Sequence, residues 1–219
     1  MAYRKYDTCF FERYAMIQLQ TLLGHDFDDL INMDRPDLQS IDGHRLGIEV
    51  TRAMEGGKEA ALQMLKDIAG ITGGDDDSAE DMNMIHSSGY GYGLREGTFV
   101  GGIELEYWKT ARPMMEILEN KVRKVSSGFY GNFDEFGLFV FSKEPLNVEQ
   151  AYAAVQYALD LQETLDVTYS RLYISAISDF YACNLEPEIA SEFRITSYDM
   201  DEASRKSFFL ASLDYGSAD

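Results

Sequence analysis

The stretch RPDLQSIDGHRLGIEVT, residues 35–51, constrains this chain more than any other. Two β-like runs flank Asp42-Gly43, a dipeptide suited to tight hairpin turns because glycine takes the positive φ they require. In the second run Leu46, Ile48 and Val50 project to one face, and Gly47, Glu49 and Thr51 to the other, because strand side chains alternate. The first face is wholly apolar and asks to be buried; the second carries a carboxylate and a hydroxyl. Register decides whether Asp37 joins that second face. A two-residue loop, Asp42-Gly43, pairs Ile41 with His44 and Asp37 with Ile48. A three-residue loop, Asp42-Gly43-His44, pairs Ile41 with Arg45 and Asp37 with Glu49. In the second register two like charges stand opposite one another, which is destabilising unless a cation lies between them. A hard, oxygen-seeking ion, Mg²⁺ or Mn²⁺, suits such a pair.

The rest of the chain reads as helices and strands around this hairpin. Residues 8–24 form a helix with Asp7 or Thr8 as its cap. On it Met16, Leu19 and Leu23 make an apolar ridge that Glu12 continues toward the N-terminus. Phe27–Ile31 reads as a short strand. Glu59–Ala69 has helical spacing, with Ala61, Leu65 and Ile68 on one face. Residues 72–106 lack periodicity and read as a long irregular insertion, with a short strand near Thr98–Val100. Tyr107–Val125 is a strong helix, its apolar ridge formed by Met115, Leu118, Val122 and Val125, and Trp108 is expected to anchor it. Phe136–Phe141 is a buried strand. Asn147, with Gln150 three residues on, starts another helix that runs to about Thr164. Tyr169–Ser178 and Arg194–Tyr198 are strands. Mixed order of this kind implies one α/β domain over residues 1–219, a central sheet with helices packed on it.

Charge narrows the partners. The formal net charge is −19, so the chain repels phosphates at long range unless basic residues cluster locally or metal ions intervene. The main basic island is the segment 107–124, with Lys109, Arg112, Lys121, Arg123 and Lys124 against only Glu116 and Glu119. Aromatic content, 14 Tyr and 13 Phe, excludes a disordered chain. The two cysteines, Cys9 and Cys183, match no metal-ligand spacing. With no signal-like N-terminus and no run of about 20 apolar residues, the expected location is the cytoplasm, away from membranes.

The segment Pro36-Asp37 … Glu49-Val50-Thr51 resembles the signature of the PD-(D/E)XK nuclease superfamily, and GIEVT (residues 47–51) is similar to its bacterial and phage-type members. The resemblance covers about residues 8–70. It implies a restriction-endonuclease-like fold, a central mixed β-sheet flanked by helices, and metal-dependent hydrolysis of phosphodiester bonds in DNA or RNA with Mg²⁺ or Mn²⁺. Residue by residue it makes Asp37 and Glu49 metal ligands and Glu12 the helix acid that completes the site. The family's lysine position is held by Thr51, which has neither a charge nor a suitable pKa. Either the lysine comes from another element or activity is lost. Lys121 and Lys124 are the replacement candidates, because Met114, Ile117, Lys121 and Lys124 form a ridge beside the apolar one. Arg52 and Lys58 are second candidates for a phosphate contact.

Two rivals follow from Thr51 and the charge: a catalytically degenerate nuclease-fold protein that binds or regulates, and an acidic inhibitor that mimics nucleic acid toward a basic protein partner. A homodimer is a further expectation of the resemblance. Other features carry less. Asp75-Asp76-Asp77 reads as a solvated acidic loop without the spacing of a calcium loop. His25, His44 and His86 share no zinc spacing. The run at 89–93 lacks the ending of a phosphate loop, although Tyr90 and Tyr92 have the chemistry to stack on bases.

Overall fold

The computed structural model describes residues 10–53, 114–142 and 145–214. The expected helix at Glu59–Ala69, the insertion at 72–106, Lys58, Lys109, Arg112, Trp108, His86, Cys9 and the cap at Asp7 or Thr8 lie outside the described residues.

Chain order runs α1 (Phe10–Leu23), β1 (Leu30–Asn32), β2 (Leu38–Ser40), β3 (Leu46–Ala53), α2 (Met114–Ser126), β4 (Glu135–Ser142), α3 (Val148–Gln162), β5 (Arg171–Ala176), β6 (Asp179–Asn184), β7 (Ile195–Asp199) and α4 (Glu202–Asp214). The seven strands form one mixed sheet whose spatial order is their sequence order. β3, β4 and β5 are parallel and the outer pairs antiparallel. The fold is therefore α/β.

Parallel strands covered on both faces read as continuous apolar runs, as EFGLFVFS in β4 does. Phe139 and Phe141 join Ile48, Val50 and Tyr173 in a core under α1 and α4, whose Met16, Leu19, Phe208 and Phe209 complete it. Leu138 and Val140 join Leu172 and Ile174 in a second core under α2 and α3. Arg13 of α1 is buried and donates from Nε to the Ser212 carbonyl of α4 at 2.9 Å, tying the two helices of one layer. α3 begins where expected: the Asn147 side chain accepts from Gln150 N–H, and the Gln150 side chain accepts from Asn147 N–H, both at 2.9 Å.

Three elements depart from expectation. The strand expected at Phe27–Ile31 starts later, because Gly24, at φ 78°, ends α1 and His25–Phe27 makes a 3₁₀ turn first. The run Tyr169–Ser178 stops at Ala176 and turns back through Ile177-Ser178 into β6. Ser178 and Asp179 are ordinary turn residues, but Ile177 takes φ 47°, a position a β-branched residue rarely adopts, and it continues the apolar strand pattern into the turn. α4 was not expected; its apolar residues are bunched as Phe208-Phe209-Leu210 rather than spaced along one stripe. Asp201 caps it, accepting from Ser204 N–H at 2.7 Å.

Candidate functional site

β2 and β3 pair with Leu38 opposite Ile48 and Gln39 opposite Gly47. One step further along this register sets Asp37 opposite Glu49, the arrangement of the three-residue-loop alternative. Asp42 holds the turn. Its carboxylate accepts from His44 N–H and Arg45 N–H, each at 3.0 Å, and from the Ser40 hydroxyl at 2.6 Å, which keeps its carboxyl well below the usual range. Gly43 takes φ 73° at its apex.

Pro36 packs against β3 at Gly47. A Cβ at Gly47 would stand 2.7 Å from Pro36 Cγ and 3.1 Å from the Phe133 ring, so only glycine lets the Pro36-Asp37 segment lie this close. Asp37 then accepts from Val50 N–H at 2.8 Å through Oδ2. Burial first, then the carboxylates of Glu49 and Glu12, push the Asp37 carboxyl well above its ordinary value, against the opposing pull of Val50 N–H and Lys121.

Glu49 lies on the α2–α3 side of β3, with 8% of its surface exposed. Lys121 of α2, 9% exposed, donates from Nζ to Glu49 Oε1 at 2.5 Å. A lysine one ridge over from Leu118 and Val122 thus turns inward and meets the strand acid. Lys124, one turn on, is exposed and sits over the Phe129 ring, 5.1 Å from its centroid. Thr51 is buried on the Glu49 side of the strand. Arg52 projects the other way, its guanidinium 4.1 Å from the centroid of the Phe11 ring of α1. Glu12 enters from α1 and accepts from Asn32 Nδ2 at 2.9 Å; Asn32 pairs with Leu38, the residue after Asp37. Glu12, Asp37, Glu49 and Lys121 are therefore brought together from α1, the β1–β2 turn, β3 and α2.

Two tyrosines complete the surroundings, and sequence reading did not single them out. Tyr130, just after α2, and Tyr169, just before β5, are buried among the residues under α2 and α3. Their hydroxyls face each other and Glu49, without a fully formed hydrogen bond to either. Burial, with the nearby carboxylates, raises both hydroxyls well above an ordinary tyrosine, so both stay protonated. No sequence pattern marks them; each closes a turn whose course depends on the sheet.

Among the described residues, no group of three or more His, Cys, Asp or Glu side chains is arranged to hold one metal ion. The three acids do not close a cage. A magnesium-type ion needs none, since it commonly takes one or two carboxylates and completes its shell with water and phosphate oxygens. The hard-oxygen pair Asp37 and Glu49 and the surplus negative charge that raises Asp37 fit such an ion. The two described histidines do not contribute: His25 contacts Asp28, and His44 lies 3.8 Å from Asp42 and 3.9 Å from Asp134. Cys183 is buried and its thiol is pushed up to about 12, which leaves it inert as a nucleophile. No helix among the described residues is long and apolar enough to cross a membrane. Comparison with family models, curated proteins and solved structures finds no match for the chain.

Proposed function

We propose that the chain is a metal-dependent nuclease of restriction-endonuclease-like fold, hydrolysing phosphodiester bonds in DNA or RNA in the cytoplasm. The observation that carries this reading is the Lys121–Glu49 pair at 2.5 Å beside Asp37. An acid pair and a lysine are the groups the resemblance requires, and here the lysine comes from a helix while Thr51 holds the strand position.

Asp37 and Glu49 would hold the ion, Mg²⁺ or Mn²⁺, which when bound supplies a water of lowered pKa and offsets phosphate charge. The chain's own groups do the rest. Val50 N–H fixes one oxygen of Asp37. Lys121 brings a positive charge to the acid pair, and its ammonium has further protons to share with a phosphate oxygen as negative charge grows there. Asn32 fixes Glu12, which adds negative charge near Asp37. Tyr130 and Tyr169, held protonated, are not bases.

A second reading is favoured by the same ion pair taken the other way. Lys121 already neutralises Glu49, and a site satisfied by its own lysine suits a degenerate nuclease-fold module that binds or regulates.

Calorimetric Mn²⁺ titration and cleavage assays on single- and double-stranded substrates separate the two. For the nuclease, Lys121→Met keeps Mn²⁺ binding or tightens it, since a competing cation is gone, while cleavage falls by about 10²–10³. Asp37→Ala loses both. Lys121→Met also leaves Glu49 buried and unpaired, at a cost of about 3–5 kcal/mol; adding Glu49→Gln should recover much of it, measured by urea unfolding. A wild type that neither binds Mn²⁺ nor cleaves leaves the binding module standing.

A further inference from the structure

The turn after α2 exposes an aromatic ring where an acidic surface would be expected to carry none. Phe129 is 46% exposed. Two cations from different elements converge on it: the Arg35 guanidinium at 5.3 Å and the Lys124 ammonium at 5.1 Å from the ring centroid. Phe193 is more exposed, yet no cation contact to its ring appears among the described residues. Phe129 also sits at the margin of the carboxylate site by three separate connections. Its ring meets Tyr130 edge-on at 5.2 Å between centroids, and Tyr130 faces Glu49. Arg35 lies two residues before Asp37. Lys124 lies one helical turn after Lys121.

The backbone at Arg35 makes the guanidinium's part separable from the fold. Arg35 holds φ 67°, a left-handed conformation that costs a non-glycine residue about 1 kcal/mol or more. Glycine would sit there without strain, so Arg35→Gly removes the guanidinium while relieving the backbone. Its only ionic contact among the described residues is a long one, 3.7 Å to the exposed Asp34, which leaves the guanidinium available to another anion.

We propose that Phe129, Arg35 and Lys124 form a platform for a single nucleic-acid strand at the entrance to the carboxylate site. An unpaired base stacks on the Phe129 ring by displacing a cation from its face, and the flanking phosphates take the displaced guanidinium and ammonium. A base within a duplex has both faces covered by its neighbours, so the platform selects unpaired strands. Stacking on an aromatic ring tolerates any base, so the platform reads no sequence. Two local cations answer the repulsion of a chain at −19 only over a short distance. The choice of an unpaired strand as substrate rests on the nuclease reading; the platform itself is testable without it.

The test uses the full chain in EDTA, where hydrolysis cannot proceed, with fluorescent oligothymidylate and a blunt duplex of equal length as probes, read by anisotropy. Wild type should bind the single strand more tightly than the duplex. Phe129→Ala should weaken single-strand binding about 5- to 100-fold. Lys124→Ala and Arg35→Gly should each lower the slope of log affinity against log salt by about 0.7. Arg35→Gly relieves the backbone, so its urea midpoint should equal or exceed wild type, which separates lost contact from lost fold. Equal binding of single strand and duplex, or Phe129→Ala binding like wild type, overturns the platform. Binding that depends on Phe129 in a wild type that shows no cleavage with Mn²⁺ upholds the platform and removes the nuclease.

Discussion

At the scale of single residues, two aspartates close in sequence have opposite electrostatic fates. Asp42 is exposed and accepts three hydrogen bonds, so its folded pKa is lowered. Its contribution to stability is present above the unfolded value and lost as pH falls. Asp37 is partly buried between Glu49 and Glu12, and its folded pKa is raised above 3.8. Between the unfolded value and the raised one, the native state binds more protons than the unfolded chain, so this contribution falls as pH rises through that window. Below the unfolded value it is fully present; above the folded one it is gone. The groups facing Asp37 are Glu49, Glu12 and Lys121, with Tyr130 and Tyr169 behind Glu49. Asp37→Asn is neutral throughout. In EDTA, the urea midpoint of wild type should therefore fall relative to Asp37→Asn as the buffer is taken from about pH 4 to about pH 8. Parallel pH profiles for the two proteins would show that Asp37 ionises as readily in the fold as outside it.

Among elements, the β2–β3 hairpin decides the site, and Gly47 decides the hairpin's approach to Pro36. With Pro36 Cγ at 2.7 Å from a hypothetical Cβ, Gly47→Ala must displace either the proline or β3. Overpacking of this kind costs about 1–3 kcal/mol. Because the displaced segment carries Asp37, the proposed nuclease reading expects cleavage to fall about 100-fold. Gly43→Ala is the control: nothing lies within 4 Å of its Cβ and only its φ of 73° is strained, so it should lower the urea midpoint while leaving cleavage near wild type. Equal cleavage by both variants would separate Gly47 from the site. Alternation along β3 marked Glu49 and Thr51 as one face, and the ridge on α2 put Lys121 and Lys124 at the edge of the core without choosing between them. Sequence could not choose the hairpin register, since loop length depends on how Asp42 caps two backbone amides. Nor did it show β6 or α4, because a β-branched Ile177 occupies the left-handed turn position before Ser178 and the apolar residues of α4 are clustered. Tyr130 and Tyr169 reach Glu49 only because β4 and β5 bring two distant turns together, a contact of topology rather than of spacing.

For the molecule as a whole, a net charge of −19 sets two opposing salt dependences. Self-repulsion opposes the compact state, and salt weakens it as the screening length shrinks from about 30 Å at 0.01 M to about 8 Å at 0.15 M. Binding of a nucleic acid through local cations weakens over the same range. Monovalent salt should therefore raise the melting temperature while lowering strand affinity. A divalent ion has two ways to stabilise this chain, by screening all 38 acidic side chains or by binding between Asp37 and Glu49. Holding ionic strength constant removes the first difference. Under that condition millimolar Mg²⁺ should raise the melting temperature of wild type and leave Asp37→Ala almost unmoved, because only a site-bound ion favours the folded state through its own affinity. Equal rises in the two proteins would assign the ion to the acidic surface at large, and the Asp37–Glu49 pair would then be a buried electrostatic tension that Lys121 and the Val50 N–H relieve.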